Sequence, residues 1–107
     1  MLAQKAGLDL STVMEVVKVA DFRSPLLVGN GQNILKRDFS TSFALKLMLK
    51  DADLIEKFAG SLQSPIPALR VVQKNLESAV ALGFGKENAS AVIKALEKEA
   101  GVEVKAR

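Results

Sequence analysis

The stretch that decides the fold runs from Phe43 to Ala59 and reads FALKLMLKDADLIEKFA. At about 3.6 residues per turn of α-helix, its polar residues gather on one strip and its apolar residues cover most of the remaining circumference. The strip contains Lys46, Asp53, Glu56 and Lys57, and the apolar arc contains Phe43, Leu45, Leu47, Met48, Ala52, Leu54, Ile55 and Phe58. The pattern predicts a central, largely buried helix over residues 43–59, with capping oxygens from residues 40–42 at its start.

One carboxylate interrupts the apolar arc. Asp51 projects from the middle of the arc, and Lys50 lies at its edge. An isolated buried charge is costly, so a carboxylate in this position has to be paired, hydrogen-bonded or exposed to a cleft. In one interpretation Asp51 caps a neighbouring helix or pairs with an arginine such as Arg23 or Arg70. In the other it faces a cleft, where Lys50 meets a phosphate or carboxylate and Asp51 meets a hydroxyl or an ammonium.

Shorter helices are predicted on the amino-terminal side. Residues 1–6 resemble the last turns of a helix that Gly7 closes, and because that helix has no beginning here, we expect the chain to have been cut from a longer polypeptide. Asp9 is a candidate N-cap for an amphipathic helix that stops near Asp21. Residues 23–25, Arg-Ser-Pro, mark a turn.

Two more helices are predicted on the carboxyl-terminal side. Two prolines within residues 65–67 open a helix that runs to about Leu82, and Asn88 is a candidate cap for a last helix that ends at Gly101. The tail, residues 102–107, has no clear assignment. Taken together, the segments predict an all-α fold, a single helical domain of five or six helices around the central buried helix.

The segment Gly29-Asn30-Gly31 resembles the start of a phosphate-binding loop. The third glycine of that fingerprint would fall at Ile34, and no strand pattern precedes the segment. We therefore do not interpret it as a nucleotide-binding loop.

Composition excludes several classes of site. The chain of 107 residues has no Cys and no His, which removes thiol nucleophiles, disulfides, imidazole catalysis and the usual zinc sites. Lys and Arg number 15 against 12 Asp and Glu, and with no Trp or Tyr there is no aromatic platform for stacking bases, so nucleic-acid binding is not expected. No stretch is long enough to span a membrane and no signal peptide is visible, which predicts a cytoplasmic protein.

The order of the motifs resembles a known family. The strings that carry the resemblance are AGLDLSTV at 6–13, RDFS at 37–40, FAL at 43–45, LKD at 49–51, GFG at 83–85 and SAVI at 90–93. In this order they are similar to the C-terminal helical domain of the β-hydroxyacid dehydrogenases, which include 3-hydroxyisobutyrate, tartronate semialdehyde and glyoxylate reductases or dehydrogenases. The implied fold is that of the C-terminal domain of 6-phosphogluconate dehydrogenase.

The resemblance also implies which parts of an enzyme are here. In the family an N-terminal Rossmann domain binds NAD or NADP, a long interdomain helix carries the catalytic lysine in a G-x-x-x-K-x-x-x-N pattern, and the helical domain closes the cleft and mediates dimerisation. Neither G-x-G-x-x-G nor the lysine pattern occurs in these residues. Residues 1–107 are therefore expected to be the helical domain alone, with the Rossmann domain and the catalytic lysine outside it.

Three matched positions receive roles from the resemblance. Lys50 would reach the cofactor, NAD or NADP, while Phe43 and Asp51 would line the substrate side of the cleft. On a helix that begins at Phe43, Phe43 and Asp51 lie about 80° apart, which agrees with a shared face. The implied substrate is a small β-hydroxyacid such as 3-hydroxyisobutyrate, or a related semialdehyde. The implied assembly is a homodimer or a higher homo-oligomer. Composition, and not the resemblance, predicts no metal, nucleic acid or membrane partner.

The sequence departs from the family pattern near the site. Ser42 stands where relatives often have glycine, and Lys86 and Asn88 stand where many carry acidic residues, so the exact substrate is left open. A second function class is a free-standing helical protein-interaction module without catalytic activity. A basic nucleic-acid binder is a third class, and the composition argues against it.

Overall fold

The computed structural model describes residues 1–107 and consists of helices and connecting loops. The helices are α1 (Leu2–Lys5), α2 (Leu10–Val19), α3 (Pro25–Leu35), α4 (Leu45–Ser61), α5 (Pro67–Ala81), a short 3-10 helix (Ala89–Val92) and α6 (Ile93–Ala100). The prediction of an all-α fold is confirmed. The residues group into two compact units: Met1–Phe39 with Glu97–Arg107 form the first, and Ser40–Leu96 form the second.

The helix ends of the first unit follow the sequence signals. Gly7 follows α1 with φ +74°, a left-handed conformation that residues with a side chain rarely adopt. The Asp9 carboxylate accepts the backbone N–H groups of Ser11 and Thr12, at 3.3 and 3.1 Å, and the Thr12 hydroxyl at 2.7 Å. The Thr12 hydroxyl and the two N–H groups keep the pKa of Asp9 below its usual value.

The segment that contains two glycines is the helix α3. The Ser24 hydroxyl accepts the backbone N–H of Leu27 at 3.0 Å, and Pro25 occupies the first helical position. A Cβ atom at Gly31 would lie 2.6 Å from Met14 Cε and 2.8 Å from Met14 Sδ. Gly31 therefore allows α2 and α3 to approach each other closely.

The carboxyl-terminal tail is held by a partly buried ion pair. The Arg37 guanidinium donates to both carboxylate oxygens of Glu97, at 2.6 and 3.1 Å, and to the carbonyl of Val104 at 3.1 Å. Glu97 also accepts the Val104 N–H at 2.8 Å, and the Ala106 N–H donates to the carbonyl of Leu35 at 2.9 Å. Through these bonds the buried Val104 becomes part of the core of the first unit.

In the second unit, one face of α4 packs against α5 and the 3-10 helix. Its buried residues, Leu45, Ala52 and Ala59, recur at every seventh position, so they form a single stripe. Leu76 and Ala79 of α5 and Ala91 of the 3-10 helix are buried in the elements that pack against α4, and Ala95 of α6 is buried as well. The expectation that α4 is largely buried is wrong, because its unit covers only this stripe and leaves much of the apolar arc exposed.

The helix α4 starts two residues later than predicted. It begins at Leu45, and its N-cap residue, Ala44, makes no side-chain capping hydrogen bond. The N–H of Leu45 donates to the carbonyl of Glu87 at 2.8 Å, and the N–H of Lys46 donates to the carbonyl of Gly85 at 2.9 Å. The predicted cap from residues 40–42 is wrong because a distant loop supplies carbonyl acceptors for these N–H groups.

Candidate functional site

Lys50 and Asp51 lie in the first two turns of α4 and reach solvent. The exposed fraction is 62% for the Lys50 side chain and 49% for that of Asp51, and the ammonium and carboxylate are 4.0 Å apart. Adjacent residues of a helix point about 100° apart, so the two side chains leave α4 in different directions. The site thus offers a cation and an anion side by side, both open to a ligand.

Asp51 lies on an exposed apolar surface, which we call the α4 face. Its apolar members include Leu47, Leu54, Ile55 and Phe58, and Phe58 is 66% exposed. The sequence correctly placed Asp51 in the middle of an apolar arc, but this arc is not part of the core. Asp51 is consequently not a buried charge that needs a partner within the fold.

The arginines suggested as partners of Asp51 make other contacts. Arg70 Nη1 lies 2.5 Å from Glu56 Oε1, and Arg23 Nη1 donates to the carbonyl of Lys18 at 3.3 Å in the first unit. The interpretation in which Asp51 pairs with an arginine such as Arg23 or Arg70 is therefore not supported by these contacts. The ion-pair contact of Asp51 is with the neighbouring Lys50.

Buried Gln73 connects α5 to α4 near this surface. Its Nε2 donates to Asp53 Oδ1 at 2.9 Å and to Glu56 Oε2 at 2.7 Å. The hydrogen bond from Gln73, and after it the charge of Arg70, lowers the pKa of Glu56. These contacts fix the helix that carries Lys50 and Asp51 against its neighbour.

Phe43 precedes α4 instead of forming its first turn. The angle of about 80° between Phe43 and Asp51 assumed a helix from residue 43 and does not apply. Phe43 lies in an extended segment in which Ala44 forms an isolated antiparallel bridge with Asn88, and 39% of Phe43 is exposed. The structure places Phe43 two residues before the helix that carries Lys50 and Asp51.

Sequence reasoning missed the role of Asn88. It was expected to cap the last helix, but its side chain makes no capping bond and instead binds residues 42 and 43. The partners are 46 and 45 positions away along the chain. A local capping pattern contains no signal for such a contact.

No group of three or more Asp, Glu, His or Cys residues is arranged to hold a metal ion. None of the helices has the length and apolar composition that crossing a membrane requires.

Two cavities, of about 190 and 480 Å³, lie in the first unit. The lining of the smaller cavity includes Met14 and Gln32, and that of the larger cavity includes Arg23 and Val28.

Comparison with known proteins decides the family. The sequence profile described as "NAD-binding of NADP-dependent 3-hydroxyisobutyrate dehydrogenase" matches residues 1–96. The chain belongs to the 3-hydroxyisobutyrate dehydrogenase-like family of β-hydroxyacid dehydrogenases. This family uses NAD(P), and its enzymes are oxidoreductases.

Relatives and a solved structure agree with this membership. The chain is 35% identical over 91 residues to cytokine-like nuclear factor N-PAC of Anopheles gambiae, covering 85% of the chain and 16% of the relative. It is 32% identical over 96 residues to chloroplastic glyoxylate/succinic semialdehyde reductase 2 of Arabidopsis thaliana, covering 90% of the chain and 27% of the relative. A 3-hydroxyisobutyrate dehydrogenase from Salmonella typhimurium superposes with a TM-score of 0.82 at 32% identity, covering 87% of the chain and 33% of that structure. The chain thus spans about a third or less of each of these three proteins.

Proposed function

We propose that residues 1–107 are the helical, substrate-cleft part of an NAD(P)-dependent oxidoreductase that acts on a small β-hydroxyacid such as 3-hydroxyisobutyrate, or on a related semialdehyde. The observation that carries the proposal is the pair Lys50 and Asp51, exposed on the α4 face in a chain of this family. The exposed ammonium and carboxylate can each make charge-assisted hydrogen bonds to the polar groups of a small ligand. The Rossmann domain and the catalytic lysine are assigned to the remainder of the parent protein.

Each residue of the site has a proposed role. The nicotinamide, when bound, supplies or accepts the hydride. Lys50 donates a charge-assisted hydrogen bond to the cofactor, and its exposed ammonium, 4.0 Å from Asp51, is available for that bond. Asp51 accepts a hydrogen bond from the hydroxyl of the substrate and so orients it. Phe43 covers the apolar part of the substrate and keeps water away from it.

The α4 face also suggests where the rest of the enzyme docks. Leu54, Ile55 and Phe58 are more than half exposed, and Leu47, which is 39% exposed, lies nearer the start of the helix. Contiguous apolar surface of this kind marks an interaction site. We assign part of this surface to the cofactor-binding part of the parent protein, which would close the cleft over Lys50 and Asp51, and we expect the parent to be a homodimer or a higher homo-oligomer.

Kinetics and stability measured on the same variants of the whole parent enzyme test the site. Asp51→Asn should raise KM for the hydroxyacid or lower kcat, and should change the free energy of unfolding by less than about 0.5 kcal/mol, since the side chain is half exposed. Lys50→Ala should make the binding free energy of the cofactor less favourable by about 1–3 kcal/mol. Lys57→Ala, which removes the same charge from the same helix, is the matched control and should leave both parameters unchanged.

The outcome that overturns the site is equally specific. A large fall in melting temperature with unchanged kinetics for Asp51→Asn would show that the carboxylate supports the fold instead of binding substrate. If Lys50→Ala and Lys57→Ala weaken cofactor binding equally, Lys50 attracts the cofactor only through its charge and makes no specific hydrogen bond to it.

A non-catalytic interaction module is the second candidate. It is favoured by a relative that is named a nuclear factor, not a dehydrogenase, and by the exposed apolar residues of the α4 face. In that case the parent protein would not oxidise β-hydroxyacids with NAD or NADP, and Phe58→Ser would weaken capture of a partner protein while Asp51→Asn would leave it unchanged.

A further inference from the structure

Asn88 anchors the segment that carries Phe43. Its Oδ1 accepts the backbone N–H of Ser42 at 3.2 Å, the backbone N–H of Phe43 at 3.1 Å and the Ser42 hydroxyl at 3.0 Å. The N–H of Ala89 donates to the carbonyl of Phe43 at 2.8 Å. Both backbone polar groups of Phe43 are thus held by residues 88 and 89.

The orientation of the Asn88 amide follows from its surroundings. Two backbone N–H groups and the Ser42 hydroxyl converge on Oδ1, and an NH₂ group turned toward them would face two N–H groups that cannot accept a hydrogen bond. On the other side, Nδ2 donates to the hydroxyl of Ser90 at 2.9 Å. Asn88 is only 7% exposed, so water offers little competition for these bonds. The amide is a fixed acceptor that faces residues 42 and 43.

We infer that Asn88 is a positioning residue, which holds the backbone of Phe43 in place ahead of the helix that carries Lys50 and Asp51. The inference rests on the proposed function, because it takes Phe43 to be the apolar contact of the substrate. Phe43 lies outside α4, so the helix does not fix its direction. The hydrogen bonds from residues 88 and 89 set its backbone, and with it the starting point of a ring that is 39% exposed.

The chemistry of the anchor predicts which substitutions it tolerates. An aspartate at position 88 keeps a carboxylate oxygen that accepts from Ser42 and Phe43, and its second oxygen accepts a hydrogen bond from the Ser90 hydroxyl, which rotates to donate it. Alanine removes every acceptor and leaves the N–H groups of residues 42 and 43 without a partner. Serine is polar but too short to reach both N–H groups. Enzymes with asparagine or aspartate at position 88 should therefore be more active than those with serine or alanine.

The test uses the whole parent enzyme with Asn88→Ala, Asn88→Ser and Asn88→Asp. Hydrogen exchange of the peptide that covers residues 42–44 should become about tenfold faster or more in the Ala and Ser variants, and Asn88→Asp should restore the slow rate. KM for the hydroxyacid should rise several-fold in the same two variants, with a smaller change in kcat, and should recover in Asn88→Asp.

Thr41→Ala is the matched control. The Thr41 hydroxyl donates to the carbonyl of Lys86 at 2.6 Å, so the substitution removes a bond between the same two segments without touching Phe43. It should leave KM unchanged. The positioning role is overturned if KM rises equally in Thr41→Ala. It is also overturned if hydrogen exchange becomes faster in Asn88→Ala while KM stays the same. If Asn88→Ala fails to fold, Asn88→Ser takes its place in this comparison.

Failure of the proposed function gives a different result. An unmodified parent that does not oxidise β-hydroxyacids with NAD or NADP contradicts that function, and the role of Asn88 fails with it. A fully active parent in which Asn88→Ala and Asn88→Ser keep the original KM contradicts the role of Asn88 alone.

Discussion

Gln73 of α5 donates to two carboxylates of α4, and this arrangement predicts a dependence of stability on pH. Its hydrogen bond keeps the pKa of Glu56 lower in the folded state than in the unfolded chain. The contribution to stability is therefore complete above the unfolded pKa, and is lost as the pH falls through the folded pKa. We expect the free energy of unfolding to decline as the pH drops below the ordinary pKa of a glutamate carboxyl, about 4.3.

Denaturant titrations over a series of pH values check this expectation. Gln73→Leu removes the hydrogen bond and should make the decline shallower. Glu77→Gln, which neutralises an exposed carboxylate of the same helix, should alter the decline less. A decline of the same steepness in Gln73→Leu and in the unmodified chain would contradict the assignment.

At the same scale, the sequence predicted the position of Lys50 and Asp51 within α4 correctly, but it wrongly placed Phe43 in that helix. Helical periodicity determines where residues 50 and 51 point, because the interior of α4 is regular. The conformation of Phe43 is instead determined by Asn88 and Ala89, which are far away in the sequence. Helical periodicity shows which face of a helix is apolar, but it does not show whether another element covers that face. For this reason the α4 face was expected to lie in the core.

At the scale of the helix, the two glycines of α3 should respond differently to alanine. No atom lies within 4 Å of a Cβ built on Gly29, so Gly29→Ala should raise the free energy of unfolding by about 0.5–1 kcal/mol through helix propensity. Gly31→Ala should raise the free energy of unfolding by less, because the new Cβ would displace Met14 Cε and Sδ. Thermal unfolding of both variants measures the difference, and equal gains would contradict the close packing at Gly31.

The helix boundaries show which sequence signals are sufficient. Asp9 begins α2 as predicted, because the cap is a bond to residues two and three positions away. The helix α3 was not predicted, because the two glycines within residues 29–31 have a low helix propensity. Ser24 and Pro25 are nevertheless good signals for a helix start. The start of α4 was misplaced because its acceptors, the carbonyls of Gly85 and Glu87, belong to a distant loop.

For the molecule as a whole, the α4 face predicts self-association of the 107-residue chain at high concentration. Phe58 is 66% exposed and lies among other exposed apolar residues, which water solvates unfavourably. Phe58→Ser should shift the chain toward monomer, whereas Lys57→Ser, at the adjacent polar position, should not. Sedimentation velocity over a concentration series measures the effect, and a monomer at every concentration for the unmodified chain would contradict it.

The bonds that hold Val104 have a consequence for where the chain can be shortened. Both backbone polar groups of Val104 are engaged, one by Glu97 and the other by Arg37. A polypeptide trimmed before residue 104 would keep the ion pair between Arg37 and Glu97 but would deprive Glu97 of one donor and Arg37 of one acceptor, and the loss of hydrogen bonds to charged groups is costly. An affinity tag or fusion partner joined after Arg107 leaves these bonds intact. The carboxyl-terminal boundary of a well-behaved recombinant fragment therefore lies beyond Val104.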